Sequence, residues 1–227
     1  MIKLTKQLLP FKRFGVALSG GIDSIAVAHF LKKGNKDFTA VHVNAKYILQ
    51  DDEAAEKVRM FCKDYGIELV LKEVEGKYEG GSVEAWCREK RYEVLKGVCR
   101  QEDLEQLVVC HHLDDCVESY LMNCFNGVPE YVPIPFRTSW GDVEVVRPFL
   151  LTGKEDFRGY VERHGLMRYV TEDELNQDMS LQRNWVRGCL RPLIETRYVG
   201  LSKVVKKKIL NKLFVLSCPK RSKKVGA

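Results

Sequence analysis

Apolar and polar positions along the first hundred residues alternate between two rhythms. Val16–Leu18 is a short apolar run that reads as a buried strand, and Ser24 to Leu31 has helical apolar spacing, with Ser24 as the expected cap. Phe38–Asn44 predicts a second strand, followed by a helix over about 51–65 in which Ala54, Ala55, Val58 and Phe61 recur at helical spacing. Glu68–Glu73 predicts a third strand. Ser82 is placed to cap a long helix to about Val98, and Gln106–Cys110 predicts a fourth strand. Such alternation implies an α/β fold: a doubly wound, mostly parallel sheet with helices on both faces and right-handed crossovers. Ligands in these folds sit at the carboxyl ends of strands where the winding reverses, commonly between the first and fourth strands.

Past the fourth strand the pattern predicts a helix from near Asp114 and a proline-rich loop over 126–135. A hairpin turn at Trp140–Asp142 and a helix over about 152–164 follow. Near the end, Val204, Val205, Ile209, Leu210 and Leu213 share a helix with Lys203, Lys206, Lys207, Lys208 and Lys212, which gives an apolar side to dock and a basic side for water. The organisation expected is a body over 1–195 and a short helical, basic extension over 196–227.

Charge sharpens that division. The formal net charge is +6, yet no Asp or Glu follows Glu195, so the body carries −4 and the extension +10. Lys220 and Arg221 lie in this acid-free end, which is either a phosphate-contacting surface with Lys206, Lys207 and Lys208 or a solvated helix and terminus. No apolar run approaches the roughly 18–20 residues of a membrane span, and no secretory core opens the chain, so a cytoplasmic protein without a membrane is expected. The eight cysteines lack Cys-x-x-Cys spacing and read as reduced thiols.

Candidate chemistry gathers at the expected strand ends. Ser19-Gly20-Gly21-Ile22-Asp23-Ser24 joins strand to helix; glycines permit close backbone approach, and helix N–H groups with the positive dipole end favour phosphate. At the fourth strand's end, Asp115 and Glu118 are three apart with Asp114 beside them. Three acids there suit either a helix amino terminus or a site for Mg²⁺ or a cationic substrate. His111 and His112 are acid–base candidates or ordinary strand-end residues. Glu84 and Arg88, four apart on a helix, either pair with each other or line a site.

Ser-Gly-Gly-x-Asp-Ser after an apolar strand resembles the PP-loop of N-type ATP pyrophosphatases and lacks the ending of a Walker A loop. The ordered set of motifs is more specific. Ser19–Ser24, Ser82-Val-Glu-Ala-Trp-Cys-Arg-Glu-Lys-Arg-Tyr92, His111–Glu118, Arg147-Pro-Phe-Leu, Glu172–Asp178 and Arg183-Asn-Trp-Val-Arg187 together resemble the tRNA(Ile)-lysidine synthetase family from about Phe14 to Glu195. The resemblance implies a Rossmann-like PP-loop fold, ATP and Mg²⁺, free lysine, and a tRNA(Ile) with a CAU anticodon. The reaction implied adenylates the wobble cytidine at its C2 oxygen with release of pyrophosphate, after which lysine displaces AMP to form lysidine.

By the same resemblance Ser19, Gly20, Gly21, Ile22, Asp23 and Ser24 bind ATP, with Asp23 and Asp114 as metal ligands. Asp114, Asp115, Glu118, Glu84, Arg88, His111 and His112 form the catalytic or lysine-binding set. Arg147, Asn176, Asp178, Arg183, Asn184 and Arg187 surround nucleotide, lysine or RNA, and a homodimer is a further expectation.

Three departures stand out. His42-Val-Asn-Ala45-Lys46 replaces the family's His-x-x-His-Gly, proline-rich 126–135 replaces a glycine-rich loop, and Leu175 stands where a small polar residue is common. The family's additional carboxyl-terminal domains have no counterpart in this sequence, so tRNA selection is expected to fall on the body and the basic extension. A tRNA thiolase, a small-molecule PP-loop synthetase and a non-catalytic ATP- or tRNA-binding relative are the other classes considered.

Overall fold

The structure is a computed structural model that describes residues 1–5, 13–46, 49–76, 78, 80, 83–128, 134–171 and 178–217, with backbone alone at 49, 50, 83, 84 and 214–217. The chain forms two compact units. One comprises Met1–His112 with Pro135–Asp178, the other Leu113–Ile134 with Met179–Ala227.

The first unit holds the sheet. Its strands are β1 (Phe14–Ala17), β2 (Phe38–Asn44), β3 (Glu68–Glu73), β4 (Gln106–Val108), β5 (Arg137–Trp140) and β6 (Val143–Val146), in the order β3-β2-β1-β4-β6-β5. All neighbours are parallel except β5 with β6. The chain steps outward from β1 through β2 to β3 and then returns to β1's other side as β4. The expected winding reversal therefore lies between β1 and β4. The β5–β6 hairpin closes through Gly141-Asp142, with Gly141 at φ +72°, the sign that the first residue of a tight hairpin turn requires.

Alternation along the strands supplies a core on each face. Phe14, Val16, Phe38, Ala40, Val108 and Val146 pack with α1 (Ile22–Lys33), α2 (Leu49–Asp64) and α5 (Lys154–Arg163). Val41, Leu107 and Val143 pack with Leu95, Val98 and Cys99 of α3 (Val83–Gln101). The doubly wound expectation holds.

One detail differs from the sequence reading. Helix α1 starts at Ile22 with Gly21 as its N-cap, so Ser24 lies inside the first turn and its hydroxyl donates back to the Gly21 carbonyl at 2.9 Å. The expected cap Ser82 lies outside the described residues.

The second unit contains α4 (Leu113–Phe125), α6 (Gln182–Trp185), a π-helical turn over Val186–Leu190, α7 (Arg191–Arg197) and α8 (Leu201–Ser217). Helix α8 packs on α4 through the fully buried Val205 and Ile209, whereas Val204 and Leu210, expected on the docked side, are about half exposed. Burial follows the i, i+4 spacing of Val205 and Ile209, which is narrower than the apolar set itself. No described helix is long and apolar enough to cross a membrane.

Candidate active site

Residues 19–24 form the turn from β1 into α1, at the winding reversal. Gly20 has φ +89°, a conformation glycine adopts without strain, and its backbone passes close to Ala54 and Val58 of α2. Gly21 has an ordinary extended backbone, and a Cβ there would meet nothing closer than Ser19 Oγ at 3.5 Å. Nothing in the described chain therefore demands glycine at 21. Ser19 Oγ accepts from the Gly21 N–H at 3.3 Å and lies 3.1 Å from Ser24 Oγ, so both hydroxyls brace the turn from within.

Asp23 projects from the first turn of α1. Its Oδ2 lies 3.4 Å from Nε2 of buried His112, the last residue of the segment following β4. The loop after β1 and the segment after β4 thus meet through one side-chain pair. The other oxygen, Oδ1, is buried with no hydrogen-bond partner among the described residues.

Two further orphan atoms attach to the same turn. His42, at the end of β2, lies with Nδ1 2.7 Å from the Leu18 carbonyl; a carbonyl only accepts, so Nδ1 carries the proton and Nε2 presents a lone pair. That Nε2 is buried without a hydrogen-bond partner among the described residues, and burial keeps the imidazole below its ordinary pKa. Thr171 donates its backbone N–H to the Gly20 carbonyl at 2.9 Å, and its buried hydroxyl oxygen has no partner among the described residues. Buried polar atoms rarely stay unsatisfied. Asp23 Oδ1, His42 Nε2 and Thr171 Oγ1, within the glycine-rich turn or on residues bonded to it or to Leu18 before it, have no partner among the described residues.

The departure at 45–46 has a local explanation. Lys46 adopts φ +56°, the left-handed region that favours glycine, so the backbone retains the shape a glycine would take there. Its N–H donates to Asn44 Oδ1 at 2.9 Å, and its ammonium lies 2.6 Å from Asp52 and 3.2 Å from Glu73. Cys110, whose thiol reaches the Ala17 carbonyl at 3.7 Å, is pushed well above the usual thiol range by burial and then by the Asp23 charge.

In the second unit the acids of α4 meet a stripe of arginines. Arg187 donates from Nε and Nη2 to the two Glu118 oxygens at 2.7 and 3.0 Å. Arg183 Nε lies 3.6 Å from Glu118 and its Nη2 donates to Ser119 Oγ at 3.1 Å. Arg191 Nη1 lies 2.5 Å from Asp114 Oδ1.

The acids are four apart on α4 and the arginines four apart on the facing helical run. Four residues overshoot a 3.6-residue turn by about 40°, and the wider π turn between Arg183 and Arg191 takes up that drift. Glu118 is thus occupied by arginine, not left open as half of an Asp115–Glu118 pair, and Asp114 is ion-paired and not an open metal ligand. Asp115 is half-buried on the same helix, and Asn184 is buried.

The remaining candidates have the following surroundings. Arg147 is buried in the first unit, donating from Nη1 to the Pro135 carbonyl at 3.0 Å and to Thr138 Oγ1 at 2.9 Å. Arg88 lies over the Tyr92 ring, 4.9 Å from its centroid. His111 is half-buried and Asp178 exposed. Lys206, Lys207 and Lys208 lie on α8, with Lys208 Nζ 5.4 Å from the Tyr120 centroid. Asn176, Lys220, Arg221 and the Glu84 side chain lie outside the described residues. Among the described residues no group of three or more His, Cys, Asp or Glu is placed to hold a metal.

Sequence reasoning gave no site role to His42, Thr171 or Arg191; His42 left a signal as the first position of the family's histidine motif, and Arg191 in the four-residue spacing after Arg183 and Arg187.

Comparisons with known proteins bear on the family and the fold. A sequence model described as a PP-loop domain matches residues 1–194. A tRNA(Ile)-lysidine synthase of Exiguobacterium sibiricum is 32% identical over 188 residues, covering 82% of this chain and 44% of that protein. One from Photorhabdus laumondii is 28% identical over 205 residues, covering 87% and 46%. The chain spans less than half the length of these relatives. Among solved structures, a U34-tRNA thiolase of Methanococcus maripaludis with its 4Fe–4S cluster superposes with a TM-score of 0.74 at 18% identity, covering 97% of this chain and 78% of that one, a likeness of fold.

Proposed function

Because this chain belongs to the PP-loop family, we propose that it carries the catalytic apparatus of an ATP-dependent tRNA-modifying ligase that forms lysidine in a CAU-anticodon tRNA(Ile). The observation that carries the reading is the cradle at the winding reversal: a glycine turn on the amino terminus of α1, with Asp23 beside His112 and three buried polar atoms that have no partner among the described residues. Its sequence similarity to lysidine synthases supports the choice of reaction over other PP-loop chemistries.

In this reading the free N–H groups of α1 and the Gly20–Gly21 backbone take the β- and γ-phosphates of ATP. Gly21 is glycine because a phosphate approaches where a side chain would stand. His112 fixes Asp23 Oδ2 and leaves Oδ1 directed at the ligand. A buried carboxylate oxygen of this kind fits Mg²⁺, which uses one or two carboxylates beside substrate phosphates and when bound neutralises charge on the departing pyrophosphate. Asp114, already paired with Arg191, does not fit that role.

The cytidine C2 oxygen attacks the α-phosphorus, the bond to the β,γ-pyrophosphate breaks, and the adenylated base then receives the lysine ε-amine as AMP leaves. Backbone donors stabilise the charge that develops during the first displacement. Within the second unit, Glu118 holds Arg187 and Arg183 in place to meet anionic groups. Cys110 is poorly suited to sulfur transfer, because its thiol resists ionisation.

The test is pyrophosphate release with ATP, lysine and tRNA supplied singly and together. The reading expects release that requires both ATP and tRNA. Release indifferent to tRNA would assign the fold to a small-molecule synthetase instead.

A further inference from the structure

Helix α3 carries Arg88, Tyr92 and Lys96 at successive four-residue steps, and these side chains form one wall of a cleft of about 400 Å³. The rest of its lining comes from Glu89 and Glu93 of the same helix, Trp140 of β5 and Arg147 at the end of β6. The strand register gives the cleft a direction. Arg137 pairs with Val146 and Trp140 with Val143, so Trp140 lies toward the amino-terminal edge of β6 while Arg147 lies at its carboxyl-terminal edge. The cleft therefore extends from the sheet edge where β1 and β4 deliver their loops, down along the antiparallel edge strand.

Its chemistry is that of a nucleotide site. Tyr92 and Trp140 pack edge to face with centroids 4.9 Å apart, and both are half-buried, so each keeps ring surface accessible. Arg88 covers one side of Tyr92 and is exposed. Arg147 is fixed by the Pro135 carbonyl and Thr138. Three cations beside two aromatic rings suit a stacked base with its phosphate. The two glutamates refine this. Glu93 is held by Lys90 at 2.8 Å, which removes much of its repulsion toward phosphate. Carboxylates accept only, so Glu89 and Glu93 favour an exocyclic amine over the uracil N3–H, whose two flanking carbonyl oxygens repel a carboxylate.

We propose that this cleft seats one unpaired nucleotide of a single-stranded RNA segment, with an amino-bearing base against Tyr92 and Trp140 and its phosphate on Arg88 and Lys96. The inference rests on the RNA-modifying reading above and adds a second nucleotide seat apart from the phosphate cradle, one that discriminates cytosine and adenine from uracil.

The test is fluorescence anisotropy of labelled seven-nucleotide oligo(C), oligo(A) and oligo(U) with the whole chain, in the absence of ATP and lysine. Oligo(C) and oligo(A) are expected to bind at least about fivefold tighter than oligo(U). Trp140→Ala is expected to weaken oligo(C) by about five- to a hundredfold, the range for loss of one stacking partner, whereas Trp140→Phe stays near wild type. Arg88→Ala, at an exposed position that keeps the core intact, is expected to weaken binding and flatten its salt dependence. Wild-type affinity in both Trp140→Ala and Arg88→Ala would overturn the seat, as would equal binding of all three oligonucleotides. No binding of any RNA by the wild type would overturn both the seat and the reading beneath it. Binding that depends on the cleft, without tRNA-dependent pyrophosphate release, would uphold the seat and remove the ligase reading.

Discussion

Arg187 holds both carboxylate oxygens of Glu118, at 2.7 and 3.0 Å, and the Glu118 side chain is only 1% exposed. Removing one partner of a fully buried pair costs about 3–5 kcal/mol; here the loss is smaller, because Arg183 stays 3.6 Å from Glu118 and Arg187 is partly exposed. Arg187→Ala and Glu118→Ala are therefore expected to lower the denaturation midpoint by comparable amounts. The double variant should fall well short of the sum. Additive losses in a double-mutant cycle would show that the two side chains act independently.

The two glycines of the cradle are expected to separate. Gly20 needs its φ of +89°, so Gly20→Ala should destabilise the fold by about 1–3 kcal/mol. Gly21 has an ordinary backbone and room for a Cβ, so Gly21→Val should melt near the wild-type temperature while losing ATP-dependent pyrophosphate release. A Gly21→Val protein with wild-type turnover would remove the phosphate from that position.

Stability should fall on the acid side of neutrality. Burial depresses the imidazoles of His29 and His42 from the ordinary value of 6.5. Below that pH the unfolded chain binds protons that the folded chain refuses, so stability rises with pH through this window and is lost as pH drops. Thermal melts between about pH 6.5 and 5 should show this slope, and His29→Gln and His42→Gln should each flatten it. An unchanged slope in both variants would place the acid sensitivity in other groups.

The doubly wound sheet was legible because strand and helix rhythms differ by a factor visible in five or six residues, and the Phe38–Asn44 and Glu68–Glu73 strands match the structure residue for residue. Local chemistry was less so. Ser24 looked like a cap, but Gly21 already has the extended backbone a cap needs, and the hydroxyl turned inward. Asp114 and Glu118 read as open acids because nothing in α4 itself announces an arginine stripe some 70 residues later. His42 is a single residue in an apolar strand, and its importance lies in a carbonyl 24 residues away. Partners distant in sequence leave no local pattern.

Basic residues of the carboxyl-terminal region are expected to contact RNA phosphate. Neutralising Lys206, Lys207, Lys220 and Arg221 together should flatten the slope of log K against log salt for tRNA by roughly three to four units, at about 0.7–0.9 per contact. Lys208, drawn over Tyr120, should contribute less. Wild-type affinity and slope in the neutralised protein would exclude this surface from tRNA binding.

The most direct measurement of the central claim is transfer of labelled lysine to tRNA. The protein is incubated with ATP, labelled lysine and transcripts that differ only in the anticodon, and label is followed into the nucleic acid. The account predicts ATP-dependent incorporation into the CAU transcript alone, lost when Asp23 is replaced by Ala. Pyrophosphate release with the CAU transcript but no lysine incorporation, or label spread evenly over all anticodons, would contradict it.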